Sequence, residues 1–141
     1  MRERQRILIV EDEHMIATLL AEVLEAAGWQ VVGPVGHLAK ALDTAASADF
    51  DAAVLDVNLG GQTVYPVAGV LDARHVPFVF LTAYGAAALV PPFCERPLLS
   101  KPFKVKELIG AVARLVNPAT AAGGLGLTII DGARPAGGSR A

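Results

Sequence analysis

A chain of 141 residues with a formal net charge of -2 and a single cysteine has the length of one domain, enough to bury a real core and too little for a second folded unit. Its lysines and arginines are scattered, which excludes the basic footprint of a nucleic-acid binder, and no apolar run reaches the ~18 residues that a membrane span needs. Cys94 lacks a second thiol for a disulfide or metal site, and no cleavable apolar region follows the charged stretch Met1 to Arg6, so the expected compartment is the cytoplasm.

The first apolar run, Ile7 to Val10, reads as a buried parallel strand that delivers Glu11, Asp12 and Glu13 to its end. From His14 to Ala27 the positions Ile16, Leu19, Leu20, Val23 and Leu24 recur at helical spacing, and Gly28 is a stop signal. Trp29 to Val35 predicts a second strand. Leu38 to Ala48 predicts a second helix with Leu38, Ala41, Leu42 and Ala45 inward. The third strand, Phe50 to Asp56, ends in a lone carboxylate before a polar loop containing Gly60 and Gly61.

Pro66 suits the first turn of a third helix, where its missing N–H costs nothing, and Val67, Val70 and Leu71 form its buried stripe up to about His75. Pro77 opens a fourth strand running to Leu81 and followed by Thr82, Ala83, Tyr84 and Gly85. Between Ala86 and Phe93 three alanines favour helix while Pro91 and Pro92 forbid its continuation, which leaves room for at most one or two turns. Leu98 to Ser100 is a short fifth strand, followed by Lys101 and Pro102. Lys104 to Val116 predicts a last helix with Val105, Leu108, Ile109, Val112 and Leu115 inward.

Strand and helix alternate five times, and right-handed crossovers then put helices on both faces of a doubly wound parallel sheet. Residues 1-117 form the expected domain. Residues 118-141, rich in Gly, Ala and Pro, read as a flexible tail in which Leu125 to Ile130 is an apolar patch able to extend a sheet edge.

Strands one, three, four and five end in an acidic pair, a lone aspartate, a hydroxyl and a lysine. In this order, Glu11-Asp12, Asp56, Thr82 and Lys101-Pro102 over residues 6 to 116 resemble the receiver domain of two-component response regulators. The resemblance implies a flavodoxin-like (βα)5 fold with strand order 2-1-3-4-5. It also implies a phosphoacceptor switch and not an enzyme in the ordinary sense. Three carboxylates converging at strand ends repel one another, and a hard divalent cation relieves that conflict. Mg²⁺ is therefore the expected cofactor, held by Glu11, Asp12, Asp56 and, by resemblance, the backbone carbonyl of Asn58.

Asp56 is then the phosphorylated nucleophile, Lys101 neutralises charge on the transferring group, and Thr82 turns its hydroxyl onto a phosphoryl oxygen. The implied partners are a sensor histidine kinase and a downstream protein or phosphotransfer protein, with no nucleic acid and no membrane; a monomer or weak homodimer is expected. With no room for an effector domain, output would pass through protein contact or through phosphate flow itself.

Receivers commonly have the Lys-Pro bond cis and an aromatic three residues before the lysine; that position is Leu98 here. The stretch Pro77 to Gly85 instead resembles the FATGUY subclass of single-domain receivers, with Leu81 and Ala83 where that motif has Ala and Gly. Tyr84 is therefore the candidate for switching or partner contact. His14 lies near the acidic cluster, while His37 and His75 have no partner at metal-ligand spacing and suit surface or cap roles. A haloacid-dehalogenase-like phosphatase carries its nucleophile after the first strand, unlike Asp56. A flavodoxin-like carrier needs a phosphate-cradling loop that does not follow strand one, and a non-phosphorylated binding module leaves Asp56, Thr82 and Lys101 without a purpose.

Overall fold

The computed structural model describes residues 4–85 and 89–117. Five parallel strands, β1 (Arg6–Val10), β2 (Gln30–Val35), β3 (Ala52–Asp56), β6 (Phe78–Thr82) and β7 (Leu98–Ser100), form one sheet in the order β2-β1-β3-β6-β7. Counted within that sheet the order is 2-1-3-4-5, the doubly wound arrangement expected. The helices are α1 (His14–Ala26), α2 (Leu38–Ser47), α3 (Tyr65–Ala73) and α4 (Val105–Val116).

The strands read as continuous apolar runs because both faces of the sheet are covered. Their period-two alternation sorts the side chains into two cores. Leu8, Val10, Ala53, Leu55, Phe78 and Phe80 pack on the side of α2 and α3. Ile7, Ile9, Ala52, Val54, Val79 and Leu81 pack on the side of α1 and α4. Phe80 is fully buried, and its truncation to alanine would cost about 3–5 kcal/mol. Removing it would open the core next to the site.

Two expected inward positions face solvent. Leu19 is 44% exposed and Val105 48%. The α1 stripe is centred on Ala17, Leu20 and Leu24, and Leu19 lies about 100° round the helix from Leu20. Small Ala17 is buried where a hydrophobicity pattern favours leucine. Val105 is the first residue of α4, one turn ahead of Leu108, where burial begins.

The loop after β3 is more regular than expected. Asn58–Leu59 (β4) and Gln62–Thr63 (β5) pair antiparallel across Gly60 and Gly61. Both glycines have positive φ, 60° and 92°, as the favoured two-residue hairpin turn requires. Gly33 is also obligatory. It sits at φ 97° where β2 shifts register against β1, and a Cβ there would lie 2.9 Å from the Val35 nitrogen.

From Leu89 to Pro97 the chain forms turns, with no helix among the described residues, in line with the block expected from Pro91 and Pro92. The alanines at 86–88, the 118-141 tail and its patch at 125–130 lie outside the described residues.

Candidate functional site

At the carboxyl end of the sheet, four strand ends converge. The end of β1 places Glu11, whose N–H bonds to the Val35 carbonyl at 2.9 Å. Its side chain is fully buried and accepts the Glu13 N–H at 3.1 Å. Asp12, next to it, is exposed. Asp56 ends β3, is 6% exposed, and is followed by Val57, whose N–H bonds to the Leu81 carbonyl at 2.9 Å. Thr82 ends β6 and is 3% exposed. Lys101 follows β7, and its N–H bonds to the Thr82 carbonyl at 2.9 Å, which ties the lysine's backbone to the threonine's. The Lys101-Pro102 peptide is cis.

Every site residue expected from the sequence lies here. One carboxylate oxygen from each of Glu11, Asp12 and Asp56 falls within 4.8 Å of the others. Lys101 Nζ stands 3.2 Å from Glu11 Oε1 and 3.4 Å from Asp56 Oδ2. Thr82 Oγ1 accepts the Tyr84 N–H at 3.1 Å, which leaves the hydroxyl proton free to be donated to an anion in front of it. An open cavity of about 490 Å³ lies over these groups, its walls including Asp12, Asp56, Asn58, Thr82, Tyr84 and Lys101.

Asp56 is pushed up to about 7. Burial is the main cause. A hydrogen bond shared with Glu11 and that residue's charge add to it, while Lys101 and the Asn58 N–H pull the other way. Burial also opposes charge on Lys101, but Asp56 and Glu11 outweigh it and hold the ammonium above the ordinary lysine value. The centre is therefore an acidic cluster short of positive charge. That donor set, all oxygen, buried on one side and open on the other, suits a small hard cation that keeps several waters.

Two features went unread in the sequence. The Asn58 side chain accepts the Gly61 N–H at 2.8 Å and so pins the β4-β5 hairpin as a wall of the cavity. The Gly60-Gly61 pair, a two-residue hairpin signal, was the available cue. The second feature is an aromatic cluster of Tyr65, Phe78, Phe80 and Phe93 beneath the β6-to-β7 connection. Tyr84 is 76% exposed, not a packing residue, and lines the cavity's rim. His14, His37 and His75 are exposed; His37 precedes α2 as its cap residue, and His75 sits just beyond α3 with φ 60°.

The family model described as response regulator receiver domain matches residues 7–113. The chain belongs to the response regulator receiver family. This receiver is 43% identical to SdrG from Sphingomonas melonis Fr1, with a TM-score of 0.71 over 82% of this chain and 99% of that one. It is 27% identical to the receiver domain of the sensor histidine kinase PA1611 from Pseudomonas aeruginosa PAO1. That structure, with a magnesium ion coordinated in its active-site cleft, aligns at TM-score 0.68 over 81% of this chain and 98% of its own. Among curated proteins, the transcriptional regulatory protein PdtaR of Mycobacterium tuberculosis is 30% identical over 117 residues, 80% of this chain and 57% of that protein. The receiver spans about half the length of the curated relatives it matches. Receiver domains are phosphoacceptor switches of two-component systems and bind Mg²⁺ at an acidic site. Among the described residues, no helix is long and apolar enough to cross a membrane.

Proposed function

We propose that this receiver accepts a phosphoryl group onto Asp56 from a sensor histidine kinase in a Mg²⁺-dependent reaction. The observation that carries the reading is the placement of Lys101 Nζ 3.4 Å from Asp56 Oδ2 beside three carboxylates that share one point of convergence. Glu11, Asp12 and Asp56, with the Asn58 carbonyl, would hold the ion. When bound, Mg²⁺ neutralises charge on the transferring phosphoryl oxygens.

An Asp56 carboxylate oxygen attacks phosphorus, the P–N bond to the donor's imidazole breaks, and that nitrogen keeps the electron pair and takes up a proton. The product is an acyl phosphate on Asp56. Lys101 is positioned to balance charge on the group, at the cost of its ion pair with the carboxylates. Thr82 donates its free hydroxyl proton to a phosphoryl oxygen, and Tyr84 follows because its N–H is bonded to the same oxygen. The receiver, residues 1-117, would then signal from the cytoplasm by contact with a downstream protein, or pass or sink phosphate, as a monomer or weak dimer.

Incubation with Mg²⁺ and a small phosphodonor tests this. One stable acyl phosphate per chain is the expected result. Steady turnover of the donor would point to a phosphatase, and no uptake to a binding module.

A further inference from the structure

The connection from β6 to β7 is held by rings that the phosphoryl chemistry does not use. Tyr65, the first residue of α3, stacks on Phe93 with centroids 5.5 Å apart and planes 6° from parallel. Phe80 meets both rings edge-on, at 5.8 Å from Tyr65 and 5.9 Å from Phe93. The Val90 N–H bonds to the Tyr65 phenol oxygen. Leu98, the register partner of Phe80, is aliphatic, so the aromatic contacts to Phe80 come from Phe78 of its own strand, from α3 and from the connection, not from β7.

Two of these rings, those of Tyr65 and Phe80, come from the two arms of the site. Tyr65 ends the loop that begins at Asp56, and that loop is closed by the Val64 N–H to the Val57 carbonyl at 2.9 Å. Phe80 lies two residues before Thr82 and so on the same side of the sheet. A displacement of either arm reaches the same stack, and a close-packed aromatic contact passes it on because it cannot deform gradually. The far end of the connection is fixed. Arg96 makes a bidentate pair with Asp72 of α3 at 2.8 and 2.7 Å and lies over Phe78 and Phe93.

We infer that Tyr65 and Phe93 form a relay through which occupation of the Asp56 site sets the conformation of residues 89–97. The inference rests on the reading of Asp56 as phosphoacceptor. Phosphorylation fixes the 57–64 loop and the end of β6 together. The stack then tightens on Phe93, and the turns around it close. Tyr65 and Phe93 are positioning residues and touch no reacting group.

The chain's single thiol reports on this movement. Cys94 is exposed, adjacent to Phe93, with Sγ 3.8 Å from the Leu89 carbonyl. Its rate of alkylation by a small iodoacetamide is measured in the full chain with Mg²⁺, with and without beryllofluoride, while fluorine NMR follows mimic binding. In the native chain the mimic slows alkylation by about threefold or more. Tyr65→Phe, which keeps the ring, retains the slowing. Tyr65→Leu and Phe93→Leu lose it while phosphoryl uptake from a small donor stays near native; two variants guard against one failing to fold. Native-like slowing in both leucine variants overturns the relay. So does an unchanged native rate when the mimic is bound, an outcome that leaves the phosphoacceptor reading intact. Absence of any bound mimic in the native chain overturns that reading and the relay with it.

Discussion

Lys101 Nζ lies 3.4 Å from Asp56 Oδ2, although β6 stands between the strands that carry them. The same ammonium is 3.2 Å from Glu11, so it is the cation that lets two buried carboxylates share one end of the sheet. Lys101→Ala is expected to lower phosphoryl uptake by on the order of 10²-fold, the usual loss when a positioned transition-state cation is removed. It should also push Asp56 further up, since burial and Glu11 would then act without their main opponent. Uptake from a small phosphodonor across pH measures both effects.

The raised Asp56 sets a stability window. In the metal-free chain the native state keeps a proton on Asp56 up to about 7, whereas the unfolded chain releases it near 3.8. Between those values the native state binds more protons than the unfolded state, so this group's contribution makes stability fall as pH rises. Above about 7 the contribution levels off. Thermal melts in chelator should therefore show a decline from pH 5 to pH 7.5 that is reduced in Asp56→Asn. Mg²⁺ must displace the same proton, so its affinity should rise over this range and level off beyond it. Asp12→Ala should weaken Mg²⁺ binding at every pH, as measured by titration.

Thr82 connects the site to Tyr84 through one hydrogen bond, its Oγ1 accepting the Tyr84 N–H at 3.1 Å. Thr82→Ala removes that acceptor, and Thr82→Ser keeps it. Amide exchange at Tyr84 should be faster in the alanine variant than in the native chain. Slowing of exchange across residues 83–85 and 89–96 on adding Mg²⁺ and beryllofluoride should be lost in alanine and retained in serine.

Arg96 holds the β6-to-β7 connection to α3 through its fork on Asp72 and its position over two rings. Both partners are about a third exposed, which limits the ion pair itself. With the ring contacts included, Arg96→Ala should cost about 1–2 kcal/mol. Arg96→Lys, which keeps charge but not the planar fork, should fall between native and alanine in urea unfolding.

The main elements were legible because each strand is a short apolar run, four of the five leading into a polar residue, and each helix carries a spaced stripe. Strand order was not legible from periodicity; it came from the resemblance of Glu11-Asp12, Asp56, Thr82 and Lys101 to a known pattern. Leu19 and Val105 show where a stripe misleads. A helix can bury alanine in place of a larger residue, as at Ala17, and burial can begin a turn after the helix does, as at Leu108. The β4-β5 hairpin escaped notice because its strands are two residues each and carry no apolar alternation. Arg96 with Asp72, and Tyr65 with Phe93, are separated in sequence and meet only through tertiary packing, which leaves no local signature.

The most direct test of the central claim is the intact mass of the native chain and of Asp56→Asn after incubation with Mg²⁺ and a small phosphodonor. The account predicts a gain of one phosphoryl group in the native chain, absent when Mg²⁺ is chelated and absent in the variant. Phosphoryl uptake by Asp56→Asn at the native rate would contradict it.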